Sequence, residues 1–237
     1  MHETVENTDN YELAKFERLS SQWWDPAGAL KTLHVINPLR LSYIDNIASL
    51  ADRQVLDLGC GGGILAESMA ARGARVTAVD ANASAIEVAR RHAQQNRVQV
   101  DYRVATAEQH AAASGESYDL ITCMELLEHV PDPGSLLAAC AAMLKPGGDL
   151  IVATLNRNAR SYATAILAAE YLMGLLPRGT HDYGKFIKPS EIACCLRPLG
   201  IDVMDVSGMH YLPFLDRCFI NRDPAVNYLL HGRMRNA

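Results

Sequence analysis

Between Arg53 and Leu155 the chain alternates short apolar runs with segments of helical period. The runs predict strands near 54–58, 75–79, 98–104, 119–124 and 149–154, and the segments between them predict helices near 64–72, 84–95, 107–112 and 134–144. Gly73 and the Lys145-Pro-Gly-Gly148 turn stop two of those helices. Strand–helix alternation of this kind predicts an α/β fold, a mostly parallel sheet with helices on both faces and right-handed crossovers. Ligands of such sheets sit beyond the C-terminal strand ends, where Gly59, Asp80 and Met124 fall. Ahead of this block, Leu13, Phe16, Leu19 and Trp23 predict a helix over 12–23. A second helix is expected from Asn37, with Pro38 at its first position and Leu41, Ile44, Ile47 and Ala48 as its apolar stripe. The first ten residues read as a disordered tail. Two last strands near 201–207 and 225–230 should complete the sheet, the final one antiparallel. Residues 1–50 thus form a tail and helical cap, and 51–237 one α/β domain with a lid-like insertion at about 156–190.

Composition narrows the classes. Apolar residues make up 49% of the 237, enough for a sizeable core. The net charge of −5 is the wrong sign for a nucleic-acid footprint. Six cysteines show no C-x-x-C pairing, and several fall inside predicted elements, as reduced, buried cysteines do. Glu3, Glu6, Asp9 and Glu12 make the N-terminus acidic, without the apolar centre of a signal peptide. A cytoplasmic location is the expectation, peripheral to the inner membrane if the insertion binds lipid.

The chemistry concentrates in Gln54-Val-Leu-Asp-Leu-Gly-Cys-Gly-Gly-Gly-Ile-Leu-Ala66. A buried strand runs into a loop with four glycines and then a helix N-terminus, where backbone can lie against a ligand and free N–H groups favour an anionic one. Ile64 occupies the place of the last glycine of a dinucleotide fingerprint, and no Lys-Ser/Thr pair marks a phosphate loop. A second acid, Asp80, ends the next strand about twenty residues on, where a carboxylate accepts hydrogen bonds from ribose hydroxyls or, more blandly, caps a helix. The acid–glycine–acid set Asp57, Gly59, Gly61, Asp80 resembles motif I of the class I S-adenosylmethionine-dependent methyltransferases. That resemblance implies their Rossmann-like fold, with a seven-stranded sheet, and S-adenosyl-L-methionine as cofactor. Related enzymes hold the adenine edge at Ala107-Glu108, although Thr106 with Gln109 also reads as a capping box.

A narrower resemblance follows from Asp119-Leu-Ile-Thr-Cys-Met-Glu-Leu-Leu-Glu-His-Val-Pro-Asp-Pro133. It joins Phe16-Glu to Trp23-Trp24-Asp25, Ile36-Asn-Pro-Leu-Arg-Leu41, Thr154-Leu-Asn-Arg-Asn158, Gly179-Thr-His-Asp182 and Phe186-Ile-Lys-Pro189. Over roughly residues 12–232 the chain is similar to the ubiquinone-biosynthesis O-methyltransferases. The family's cofactor contacts then fall on Arg40, Gly59, Asp80 and Met124, with Arg40 facing the methionine carboxylate. The reaction implied is O-methylation of a prenylated catechol or quinol, with association with other enzymes of that route. A soluble catechol is the alternative acceptor, and a non-catalytic lipid-binding module the alternative of another class.

Glu125, Glu128 and His129 stand at spacings of three and four, so one helical turn would put them on one face. Two carboxylates and an imidazole suit a divalent ion such as magnesium, manganese or zinc, which would hold both catechol oxygens. Equally, His129 is a candidate general base in a metal-free site. Beyond them, Ser161 to Leu176 is apolar but, at sixteen residues, too short to span a bilayer. Arg157, Arg160, Arg178, Lys185 and Lys188 flank it, which suits an anionic membrane surface as well as a plain lid.

Overall fold

The computed structural model describes residues 7–115, 117–162, 183–212 and 215–236. In chain order these form α1 (Asn10–Arg18), α2 (Lys31–Ala48), β1 (Gln54–Leu58), α3 (Ile64–Ala70), β2 (Arg75–Asp80), α4 (Ala83–Asn96), β3 (Asp101–Val104), α5 (Ala107–Ser114), β4 (Tyr118–Met124), α6 (Pro133–Met143) and β5 (Leu144–Leu155). There follow the single turn α7 (Ala159–Ser161), α8 (Pro189–Leu196), β6 (Ile201–Leu212), β7 (Arg217–Asn221) and β8 (Asn227–Met234). The strands join in the order β3-β2-β1-β4-β5-β8-β6-β7. β1 to β5 pair parallel, and β8 is antiparallel to both β5 and β6, as expected of the final strand.

Side-chain alternation along the central strands builds two cores. Val55, Leu120, Ile151 and Ala153 face one side of the sheet, against α2, α3 and α4. Leu56, Leu58, Ile121, Cys123, Leu150 and Val152 face the other, against α5, α6 and α8. Both faces are covered, so the inner strands carry apolar residues at nearly every position. β1 sits between β2 and β4, so its C-terminal end opens at the switch point of the strand order.

Several expectations need correction. The sheet has eight strands, not seven, among the described residues: β6 runs on to Leu212 and folds back as β7. β7 is held because Cys218 and Ile220 pack on the α2 face, the Cys218 thiol reaching the Val35 carbonyl at 3.3 Å. Pro38 lies inside α2 rather than at its start. Its fixed φ suits a helix, and burial of Ile36, Leu41 and Ile44 outweighs the one hydrogen bond it removes. The third strand covers only 101–104, and β5 begins at Leu144, through the expected turn. Of the expected tail, residues 7–10 are ordered: Asp9 caps α1 by accepting from the Tyr11 and Glu12 amides. Apart from Ser161 and Tyr162, the expected apolar element at 161–176 lies outside the described residues.

Candidate active site

The loop after β1 is fixed by protein packing as much as by any ligand. The Gly59 and Cys60 amides both donate to the Val79 carbonyl, at 2.8 and 3.2 Å. Gly61 has φ +52 and Gly63 φ +87, values that disfavour any residue with a Cβ. A Cβ on Gly61 or Gly62 would run into the Trp23 indole, and one on Gly63 into the Tyr102 hydroxyl. Those glycines therefore admit Trp23 and Tyr102, and what the loop turns to the cavity is backbone. Asp80 receives the Gly61 amide on one carboxylate oxygen at 2.8 Å and the Asn82 amide on the other at 2.7 Å. Burial raises its pKa against the pull of those two amides.

Asp57 is buried at 2% exposure, accepting a hydrogen bond from Thr122 Oγ1 at 2.7 Å. Burial pushes its carboxyl up to about 7, although the Thr122 hydrogen bond and the Arg40 charge both favour ionisation. The folded state thus holds an extra proton between the unfolded value near 4 and about 7. Relative to Asp57→Asn, wild-type stability should fall as pH rises through that window and then level off. Denaturant midpoints of the two proteins from pH 4.5 to 8 test this; a constant difference across the range rejects it.

The N-terminal segment closes the front of the cavity. The Trp24 indole N–H donates to the Gly62 carbonyl at 2.9 Å, and its ring stacks on His92 with centroids 3.4 Å apart. Asn7 donates to Glu108 at 2.7 Å and accepts from the Asp132 amide at 2.8 Å. Glu108 also accepts from Ser135 Oγ at 3.0 Å, while Thr106 and Gln109 form the capping box of α5. The capping-box reading of that segment is therefore built, and Glu108 is engaged by Asn7 and Ser135.

Arg40, Gly59, Gly61, Asp80, Glu108, Met124, Glu125, Glu128 and His129 all line one cavity of about 630 Å³. The sequence-derived site residues are thus brought together, but the three proposed metal ligands diverge within it. The turn at Leu127–His129 is 3-10, and Glu125 precedes it in the left-handed region at φ 54. Glu125 pairs with Arg40 and accepts from Asn227 Nδ2 at 3.2 Å. Glu128, 4% exposed, accepts from Thr154 Oγ1 at 2.7 Å, and burial raises its pKa. His129 turns Nδ1 to Glu12, 3.0 Å away. Among the described residues no three His, Cys, Asp or Glu side chains form a cation site. The single-face expectation fails because the helical turn that would align the three is not formed.

The donor set fits a sulfonium nucleoside with an amino-acid tail. Asp57 precedes the glycine loop, Asp80 ends the next strand, and the buried Arg40 guanidinium, its Nε without a partner among the described residues, stands at the cavity wall. Sequence reasoning missed Glu12, Trp23 and Asn227. Glu12 had one signal: it lies four residues before Phe16, on the same face of α1.

The profile described as "Methyltransferase domain" matches residues 22–206. Magnesium protoporphyrin IX methyltransferase from Synechocystis, solved with bound SAH, has the same fold: TM-score 0.69 at 18% identity, covering 93% of this chain and 94% of that one. Fold and profile together define an S-adenosylmethionine-dependent methyltransferase. The "Ubiquinone biosynthesis O-methyltransferase" of Saccharophagus degradans is 50% identical over 228 residues, covering 96% of this chain and 97% of its own length. The protein of that name from Hahella chejuensis is 52% identical over 228 residues, with 96% of each chain covered. The chain belongs to the ubiquinone biosynthesis O-methyltransferase family.

Proposed function

We propose that the protein transfers a methyl group from S-adenosylmethionine to a phenolic hydroxyl of a prenylated catechol or quinol, with His129 as general base. The observation that carries this is the His129 ring at the wall of the cavity shared with Gly59 and Asp80, its Nδ1 on a carboxylate. Bound S-adenosylmethionine supplies an electrophilic methyl, which the phenolic oxygen takes in line as the carbon–sulfur bond breaks, leaving S-adenosylhomocysteine. The Glu12 carboxyl is held below its usual range, chiefly by the His129 hydrogen bond, so the carboxylate accepts from Nδ1 and leaves Nε2 as the nitrogen available for the phenolic proton. Nε2 accepts the phenolic proton. Asp80 would take the ribose hydroxyls, with the Gly59 and Gly61 backbone against the nucleoside and Met124 and Glu108 at the adenine. Arg40 receives the cofactor carboxylate, to which Glu125 must yield its place. Glu125, Glu128 and His129 are engaged separately, by Arg40, Thr154 and Glu12, so the route assigned here draws on His129 alone.

Labelled methyl transfer to prenylated and tail-less catechols, with and without chelator, tests this reading. Faster turnover of the prenylated acceptor, retained after chelation, is expected. Equal rates would favour a soluble catechol, no transfer to either would reject the reaction, and chelation reversed by magnesium or manganese would restore the metal.

The apolar stretch 161–176 and its cations support a second element of the proposal, contact with an anionic membrane where the acceptor and neighbouring enzymes of its route would meet. None of the helices among the described residues is long and apolar enough to cross a bilayer. Three of the five flanking cations already have acidic partners: Arg157 with Glu191, Arg160 with Asp223 at 2.7 Å, and Lys185 with Asp9 at 2.8 Å. Those three therefore add less to the electrostatic share than their sequence charge implies, a cation free at an anionic surface being worth about 1 kcal/mol. Arg178→Ser with Lys188→Ser should lower co-sedimentation with anionic vesicles several-fold. Equal recovery with neutral vesicles argues against charge, and no recovery with either returns the segment to a lid.

A further inference from the structure

We infer that Glu12 is the positioning residue for His129, so that the N-terminal helix completes the base rather than merely capping the fold. This rests on the general-base reading above. α1 starts at the Asp9 cap, and a spacing of four puts Glu12 and Phe16 on one helix face. Both meet the same imidazole. Glu12 Oε2 lies 3.0 Å from Nδ1, and the Phe16 ring stands edge-on to the imidazole, centroids 5.1 Å apart and planes at 89°. One contact fixes the tautomer and the other the ring plane, which are the two degrees of freedom a base must have set before substrate arrives. The pair is largely withdrawn from water, with side-chain exposures of 14% for His129 and 11% for Glu12. A hydrogen bond there is less weakened by solvent than an exposed one.

Glu12 is itself braced. Lys15 stands 3.5 Å from Oε2 and Lys185 3.8 Å from Oε1, and Lys185 also pairs with Asp9 at 2.8 Å. The N-terminal helix and the stretch just before α8 therefore converge on the carboxylate that holds the imidazole of the β4–α6 connection. An amphipathic helix needs no acid on its inward face, and Glu12 is buried. Its burial is accounted for by His129 and the two lysines.

The test uses the full chain and the variants Glu12→Ala, Glu12→Gln and His129→Ala. Glu12→Ala should lower kcat by about 10- to 100-fold, part of what a general base supplies, with the Kd for S-adenosylmethionine within about twofold. Glu12→Gln, which keeps an acceptor of the same length, should recover part of that loss. Nitrogen-15 spectra of the His129 ring should show the Nδ1–H tautomer in the wild type and its loss in Glu12→Ala. In a His129→Ala background Glu12→Ala should have no further effect. Normal kcat in folded Glu12→Ala, with His129→Ala impaired, overturns the positioning role and leaves the base intact. Equal losses of kcat and cofactor affinity overturn it too, by making Glu12 a structural prop. Full activity of His129→Ala removes the base reading itself, and the proposal with it.

Discussion

His129→Ala is expected to lower kcat by about 10²- to 10⁴-fold, the usual share of a positioned general base, while cofactor affinity stays near wild type. A phenol with a pKa near 10, as in tyrosine, is ionised in only about one molecule in a thousand at pH 7. Reaching the phenolate unaided therefore costs about 4 kcal/mol, at about 1.4 kcal/mol per pKa unit. A base at the oxygen avoids that pre-equilibrium, since the proton leaves as the carbon–oxygen bond forms. Without His129, only the spontaneously ionised fraction reacts. The variant's kcat should then climb about tenfold per pH unit between pH 7 and 9, a steeper rise than in the wild type, where the base takes the proton. Added imidazole should restore part of the rate. A variant with normal kcat at pH 7 would remove His129 from the chemistry.

The parallel half of the fold was legible because its physics is local. Strands covered on both faces read as apolar runs, and the glycine loop between β1 and α3 marks a backbone that must turn sharply. The same locality made Gly59, Asp80 and Met124 identifiable as strand-end residues, and all three line the cavity. Legibility failed where a distant partner decides the outcome. Pro38 reads as a helix start, yet the helix passes through it because its neighbours are buried. Glu125, Glu128 and His129 have the spacing of one helical face. Their conformations are set instead by Arg40, Thr154 and Glu12, respectively 85, 26 and 117 positions away. The strand β7 is short and exposed at alternate positions, and α2 supplies the surface that keeps it. The glycines were read as room for a ligand, but Gly61 and Gly62 also make room for Trp23, 38 and 39 positions earlier in the chain, which no loop signal marks.

Asp80→Ala should weaken S-adenosylmethionine binding by about 1.5–3 kcal/mol, or roughly 10- to 150-fold in Kd, through loss of charge-assisted hydrogen bonds. Part of that loss is indirect. The Asp80 carboxylate already accepts from the Gly61 and Asn82 amides, so its removal also loosens the glycine loop and the start of α4. A simple affinity measurement therefore does not separate a ribose contact from loop support. Calorimetry with a cofactor analogue lacking the ribose 2′-hydroxyl does. If Asp80 holds that hydroxyl, the analogue should bind wild type about tenfold or more weaker than the parent, and Asp80→Ala should bind both alike. Loop support alone predicts the opposite pattern, in which the analogue's penalty is the same in both proteins. Retention of the fold, followed by thermal unfolding, is expected because Asp80 lies at the open end of β2, outside both apolar clusters. An equal penalty in the two proteins would leave Asp80 as the brace of the glycine loop and assign the ribose to another residue.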